Sequence, residues 1–303
     1  MTNQGPEDLT EREWPQAVLA ATGAPFAATR LAGAGGPGSF RVEGPRGAIV
    51  YKCGVPPREL GWYRRCAPHA AALAAAGCWT APLVASGHEP EPWLALAWAG
   101  RPLPRERWGT APVLAALASW HRAAALWEGP VGDGYPFAWD ETLTRAALDA
   151  LTASERAGVR GGWGRAAVAA QRALFAPPGH AVHGDPNPTN WLVAADGPES
   201  PLVLVDWARP GRAHPAVDVA IALPGLPTYE RAAEATQQYL AARPDFREPD
   251  GRAWTRWILL AKLWSAVEFL AMATRGELSQ DARGAVAFLR ENLPEWSHQQ
   301  AGC

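Results

Sequence analysis

Lysine is nearly missing from this 303-residue chain: among 28 basic residues only Lys52 and Lys262 are lysines, and arginine supplies the rest. Cysteine is sparse as well. Cys53, Cys66, Cys78 and Cys303 form no CxxC pair and have no histidine cluster near them, which argues against a structural zinc site and leaves reduced thiols as the expectation. Neither sign of charge dominates, with 28 basic against 30 acidic residues and a formal net charge of −2. Such a chain has no long-range field to draw it onto nucleic acid or an anionic membrane. An uninterrupted hydrophobic run is also absent, because Lys262 and Glu268 break the longest apolar stretch, 257–273, so no membrane span is expected. The start, MTNQGPEDLTERE, is acidic and polar, the wrong pattern for a signal peptide, and the cytoplasm is the expected compartment. Missing, too, are H-E-x-x-H, G-x-S-x-G, any basic-aromatic alternation and G-x-x-x-x-G-K-[ST]. Metalloprotease, serine hydrolase, nucleic-acid-binding and P-loop readings therefore lack a site.

What is present divides near residue 100. Thr10-Glu11-Arg12-Glu13 resembles a capping box opening a helix towards Ala21, with Pro15 awkwardly placed inside it. Short β-like runs follow at 26–31, 39–43, 48–53, 80–85 and 93–98, with a helical stretch over 58–76 interrupted at Pro68. After Gly100 the apolar period becomes about 3.6. Helices are predicted at 111–126, 141–157, 165–175, 217–223, 228–242, 252–274 and 280–292. Two further strands, 191–194 and 202–205, sit in the Pro- and Asp-rich interval 180–214. The expectation is an α+β chain with a small β-rich N-lobe over 1–99 and a larger helical C-lobe over 100–303. The lobes would meet at a cleft, where ligands prefer to bind.

The interval holds the chemistry. His183-Gly184-Asp185 is followed, after four residues, by Asn190, and the apolar run Leu202-Val203-Leu204-Val205 ends on Asp206. Phosphoryl transfer asks for a carboxylate to orient and deprotonate an attacking hydroxyl. It also needs an amide oxygen a few residues on to help hold a divalent cation, and a second carboxylate for the Mg²⁺ that bridges the phosphates. Asp185, Asn190 and Asp206 supply these in that order, and Pro186 and Pro188 restrict the loop between the first two. Taken singly, each could cap a turn or end a strand. The joint spacing is specific.

These residues, with Gly211-Arg212-Ala213-His214-Pro215-Ala216-Val217-Asp218-Val219-Ala220, resemble the aminoglycoside phosphotransferase and choline kinase-like family of small-molecule kinases, which have the bilobal protein-kinase-like fold. The resemblance implies Asp185 as the catalytic-loop aspartate, and Asn190 and Asp206 as metal ligands. It also implies Asp218 as a structural tie from the loop to the following helix, and His183 as an orienting residue. Ala111 onward carries Ser119-Trp120-His121, similar to the family's Leu-x-x-His helix, where a core histidine is the simpler reading.

A kinase also needs a strand cation for the α/β-phosphates and a glutamate on the next helix to brace it. Lys52, ending Ile49-Val50-Tyr51-Lys52, and Glu59 fit those roles. Gly33-Ala34-Gly35-Gly36-Pro37-Gly38 runs into a strand, Ser39-Phe40-Arg41-Val42, which favours a hairpin over phosphates rather than a dinucleotide turn. Gly35, Gly36 and Gly38 would form that hairpin, and by resemblance Ser39 would touch phosphate. Leu96 and Trp98, ahead of Gly100, correspond by resemblance to the main-chain positions that bind adenine.

The reading at this stage is an ATP- or GTP-dependent, Mg²⁺-requiring kinase of a small-molecule hydroxyl, acting as a monomer or weak dimer. The third motif leans towards aminoglycosides and hence antibiotic resistance. Choline, homoserine, fructosamine and macrolide acceptors stay open, as does a nucleotide-binding pseudokinase. A polycationic acceptor would need rim carboxylates, for which Glu230, Glu234, Asp245, Glu248, Asp250 and the terminal carboxylate of Cys303 are candidates.

Overall fold

The computed structural model describes residues 14–24, 26–31, 38–123, 134–176, 179–194, 200–246, 250–278 and 282–300. The capping box at 10–13, the glycine run up to Pro37, Glu248 and Cys303 lie outside them.

Helix α1 (Gln16–Thr22) begins directly after Pro15, whose missing N–H is harmless at a helix start. Five strands then form one antiparallel sheet in the order β1-β2-β3-β5-β4: β1 (Ala27–Arg30), β2 (Gly38–Gly44), β3 (Gly47–Cys53), β4 (Leu83–Gly87) and β5 (Trp93–Ala97). The period-2 alternation of a strand decides what each face carries. Ile49, Tyr51 and Cys53 of β3 join Phe40, Val42 and Trp93 in a cluster closed by Trp14 and Val18 at the α1 side. Lys52 is thereby turned to the opposite face, where α2 (Pro57–Cys66) packs and presents Glu59, Trp62 and Tyr63 inward. The predicted break at Pro68 is a 3-10 turn, Ala67–His69, leading to α3 (Ala70–Ala75).

Beyond residue 100 the elements are β6 (Arg101–Pro102), α4 (Ala111–Arg122), α5 (Glu141–Asp149), α6 (Ala153–Ala173), β7 (His180–Val182), β8 (Trp191–Val193), β9 (Leu202–Leu204), β10 (Gly211–Ala213), α7 (Ala216–Ala222), α8 (Tyr229–Ala241), α9 (Gly251–Thr274) and α10 (Arg283–Gln300). Helix α9 is the hub, packed by α5, α6, α7, α8 and α10. By length and composition it could cross a membrane, yet most of its apolar stretch is buried inside the protein.

Three expectations need correction. The helix read over 141–157 is two helices, because Thr152 and Glu155 make a reciprocal capping box that starts α6 afresh and carries it through 165–173. Helix α10 runs past Asn292 and even past Pro294, its second half anchored by buried Leu293 and by Trp296, whose indole donates to the Pro227 carbonyl at 2.8 Å. Short strands β6, β7 and β10 were not foreseen; two or three residues carry no readable period.

Strands β6, β8 and β9 form one small sheet, β7 and β10 another. Gly100 makes the join to β6 possible: it has φ of +134°, and a Cβ there would lie 2.1 Å from the Val193 carbonyl oxygen.

Candidate active site

Strand β7 delivers the chain into the loop 183–190. Gly184 turns it at φ +83°, where a Cβ would lie 2.2 Å from the Arg209 carbonyl oxygen, so only glycine fits. Asp218, wholly buried on α7, accepts the backbone N–H of His183 at 2.7 Å and of Gly184 at 2.9 Å. The His183 ring is fixed at both nitrogens: Nδ1 accepts the Asp185 N–H at 3.1 Å, and Nε2 faces the Val205 carbonyl at 3.1 Å. Nε2 must therefore carry the proton and the ring must be neutral. Burial agrees, lowering His183 to a pKa of about 4 despite Asp218 and Asp206 nearby.

Asn190, at the end of a 3-10 turn (Pro188–Asn190), donates its amide to the Asp185 carbonyl at 2.8 Å. That leaves its side-chain oxygen available as a ligand. Asn187 donates to Asp185 Oδ1 at 2.9 Å, and the second carboxylate oxygen has no hydrogen-bond partner among the described residues. Burial raises Asp185 to a pKa of about 6; Arg209 and the Asn187 hydrogen bond pull the other way, while Asp206 and Glu268 add to the rise.

The second carboxylate is brought alongside by backbone pairing. Antiparallel β8 and β9 set Trp191 against Leu204, and the Val205 N–H bonds to the Asn190 carbonyl at 3.0 Å. The next residue, Asp206, has φ of +64°, the one non-glycine residue with positive φ among those described. Aspartate tolerates this left-handed geometry better than most residues, and such outliers cluster at functional sites. Trp207 is then locked: its ring stacks on Trp62 of α2 at 3.7 Å between centroids and 7° between planes, with Trp120 and His183 against it. Helix α2 thus holds both Trp207 and, three residues earlier on the same face, Glu59.

Lys52 Nζ joins the two halves of the chain. It donates to Glu59 Oε1 at 2.6 Å and to Asp206 Oδ1 at 2.8 Å. Burial opposes its charge, but the two carboxylates outweigh it and raise the Lys52 pKa. Burial opposes ionisation of Asp206 too, and Lys52 overcomes it, holding the carboxyl below its usual range. The Glu59 side chain is 1% exposed and so stands inside the fold beside Lys52.

Gly38 and Ser39 open β2, and Ser39 pairs directly across from Lys52. Leu96 pairs with Val50 in the sheet. Trp98 donates its N–H to the Ala48 carbonyl at 3.1 Å, which leaves its own carbonyl as the group open to a ligand. Among the rim carboxylates, Glu234 pairs with Arg231, Asp245 with Arg243, and Asp250 caps α9. Glu230 lies in the first turn of α8.

Two residues that no sequence pattern singles out, Arg209 and Tyr135, meet Glu268 near the loop. Arg209 forms an ion pair with Glu268, and the Tyr135 hydroxyl donates to the other Glu268 oxygen. Glu268 and Lys262 interrupt an apolar helix, and both are buried. Glu268 is committed to Arg209 and Tyr135, and Lys262 donates to the Leu223 carbonyl at 2.7 Å. With no carboxylate beside it, Lys262 is lowered by burial to a pKa of about 7. His121 is buried as expected, bridging Asp218 at 3.0 Å and the Tyr239 hydroxyl at 2.7 Å; Arg243 completes that line at 3.2 Å from the same hydroxyl.

A family model described as "Phosphotransferase enzyme family" matches residues 54–258. No curated protein matches the chain. Solved structures do. A microcompartment-associated aminopropanol kinase aligns at TM-score 0.64 and 17% identity, covering 94% of this chain and 93% of that one. A spectinomycin phosphotransferase in complex with ADP and spectinomycin gives TM-score 0.64 at 12% identity, covering 93% and 96%. An amicoumacin kinase in complex with AMP-PNP, Ca²⁺ and Ami gives TM-score 0.59 at 15% identity, covering 88% of each chain. At these identities the structural likeness speaks for the fold, and the family match covers most of the chain. The chain belongs to the phosphotransferase enzyme family.

Proposed function

We propose, with that membership as the premise, that the protein is a small-molecule kinase that moves the terminal phosphoryl group of ATP or GTP to a hydroxyl. The observation that carries this reading is Lys52 held between Glu59 and Asp206 at 2.6 and 2.8 Å. It couples the β-rich part to the strand end that follows the Asp185–Asn190 loop. The lobe boundary belongs near residue 100, with the nucleotide beneath the sheet.

A divalent cation, Mg²⁺ in our reading, suits the residues present. Among the described residues no cluster of three or more His, Cys, Asp or Glu would hold a metal unaided. Asn190 retains a free amide oxygen, and the Asp206 side chain is 40% exposed with one oxygen uncommitted. Two protein oxygens completed by phosphates and water are what Mg²⁺ prefers. Bound there, the cation would neutralise phosphate charge.

The chain's own residues do the rest. Asp185, with a pKa near 6, is ionised at neutral pH and accepts or orients the acceptor's proton, the demand on it being modest if the transition state is loose. Lys52, braced by Glu59, steadies the α/β-phosphates. Gly38 and Ser39, with Gly35 and Gly36 ahead of them, would cover the phosphates, while the carbonyl of Trp98 and the backbone near Leu96 would meet the base. His183 and Asp218 act on Asp185 through the loop, as positioning residues.

An ADP-release screen with Mg²⁺ and ATP or GTP, across amino sugars, choline, macrolides and sugar amines, tests the reading. Acceptor-dependent ADP release that Asp206→Ala abolishes is expected. More than about a tenth of the activity surviving that substitution contradicts it, since charge-stabilising groups of this kind contribute about 10²-fold or more. Thermal stabilisation by nucleotide without transfer to any acceptor would favour the pseudokinase instead.

A further inference from the structure

Two arginines stand near the Asp185 loop, Arg209 and, across the Tyr135 ring, Arg58. Arg209 follows Asp206 by three residues, and its backbone carbonyl packs directly against Gly184, so it forms a wall of the Asp185 loop. Its guanidinium lies 4.1 Å from the centroid of the Tyr135 ring. Arg58, the residue before Glu59 on α2, places its guanidinium carbon 5.2 Å from the same ring. Two cations therefore share one aromatic ring; among the described residues Glu268 takes Nη2 of Arg209 and the Tyr135 hydroxyl, Asp185 also acts on the Arg209 charge, and no carboxylate pairs with Arg58.

Both guanidiniums keep donors in reserve. Arg209 Nε and Arg58 Nη1 are shielded from solvent and have no hydrogen-bond partner among the described residues. Buried donors of this kind are normally satisfied, and these two belong to guanidiniums that lie against one ring. Three of the rim acids that could receive a polycation are committed elsewhere. Glu234, Asp245 and Asp250 have partners on their own segments, and the Glu268 carboxylate is neutralised in place. Arg209 is balanced by Glu268, so the cation left unpaired among the described residues is Arg58: an ammonium would meet it as a like charge and a carboxylate as a complementary one, and guanidinium forks suit carboxylates particularly well.

We propose that the acceptor phosphorylated by this protein is an anionic hydroxy compound, whose carboxylate is received by Arg58 and Arg209 beside the Tyr135 ring while its hydroxyl faces Asp185. The inference rests on the small-molecule kinase reading above and deepens it: it names the acceptor's charge class and gives two arginines a role in specificity.

Two matched series test it, with Mg²⁺ and ATP and with ADP release as the readout. One series is 3-hydroxypropionate, 3-hydroxypropanamide and 3-aminopropan-1-ol; the other is glucuronate, glucose and glucosamine. In each, kcat/KM is expected to fall from anion to neutral to cation, by about tenfold or more between the ends, the scale of one charge-assisted hydrogen bond. Arg209→Lys, which keeps a cation for Glu268 but removes the fork, and Arg58→Met should each raise the KM of the anionic acceptor by about tenfold and leave that of ATP within about twofold. A preference for the amines, or variants that raise the KM of ATP instead, would overturn the proposal. Phosphate release from ATP to water, measured without acceptor, separates the two levels. If water receives phosphate but neither anion does, the acceptor class is wrong and the kinase reading stands. If neither water nor any acceptor receives it, the kinase reading fails, and this inference with it.

Discussion

On the phosphate side of the site, Asp185, Asn190 and Asp206 are held by bonds that involve the main chain: Asn190 to the Asp185 carbonyl, Val205 N–H to the Asn190 carbonyl, Asp218 to two successive amides. On the side proposed to receive the acceptor, Tyr135, Arg209 and Glu268 come from three separate segments and meet through side chains, across 133 and 59 residues of sequence. A geometry fixed by backbone pairing imposes spacing on the sequence, and spacing can be read. A cluster assembled by tertiary packing imposes none. In the proposed reading the first side would serve a chemistry common to phosphoryl transfer, and the second would be free to vary with the acceptor.

Substitutions at the two sides should therefore separate chemistry from recognition. The largest effect is expected at Asp185. Asp185→Asn should lower kcat by about 10²-fold or more, and should also raise the melting temperature at pH 8. The sign follows from burial: its folded pKa, about 6, lies above the ordinary carboxylate value. Ionising Asp185 in the fold costs stability that is fully lost above pH 6 and is recovered as pH falls below about 4. Calorimetry showing no gain, or a loss, would mean that the carboxylate is not held at such a cost.

A smaller effect is expected from pH. With Asp185 required as its anion, kcat/KM should be level above about pH 6 and fall about tenfold per unit below it. The same range tests the scaffold. Burial lowers His183 to about 4 and His214 to about 3, so both are neutral in the fold and take up protons more readily when unfolded. Their contribution to stability is present above pH 6.5 and declines as pH drops towards 4, which a denaturation series over pH 4–7 would record. Asp185 titrates with the opposite sign over the same range, so the series belongs in the Asp185→Asn background, where unchanged stability would contradict the buried, neutral assignment.

The smallest effect belongs to the line behind the loop. Tyr239→Phe removes the hydroxyl between His121 and Arg243 and should cost about 1–3 kcal/mol by leaving a buried partner unsatisfied. Urea titration of the variant measures it, and no change would remove that line from the account.

How much of this the sequence disclosed follows the same division. The five-strand sheet, Lys52, Glu59 and the Asp185–Asn190–Asp206 set were visible because strand period and motif spacing are local. Arg209 stood three residues from Asp206 and still gave no signal, since nothing in the sequence tells it from the other arginines of an arginine-rich chain. Glu268 in an apolar helix did mark itself as unusual, but its partners at 135 and 209 could not be inferred. The join between α5 and α6 was legible in principle from Thr152 and Glu155 and was obscured by the alanines around it, which extend helical periodicity through any gap. Pro294 argued for a helix end that Trp296, docked on the Pro227 carbonyl, overrides.

Isothermal titration of ATP into the wild-type protein and into Asp206→Ala, each with and without Mg²⁺, addresses the central arrangement without any knowledge of the acceptor. The account predicts that Mg²⁺ tightens ATP binding to the wild type by about tenfold or more, the scale of a charge held by phosphate and carboxylate together, and that Asp206→Ala loses that gain. Equal strengthening by Mg²⁺ in both proteins would contradict it.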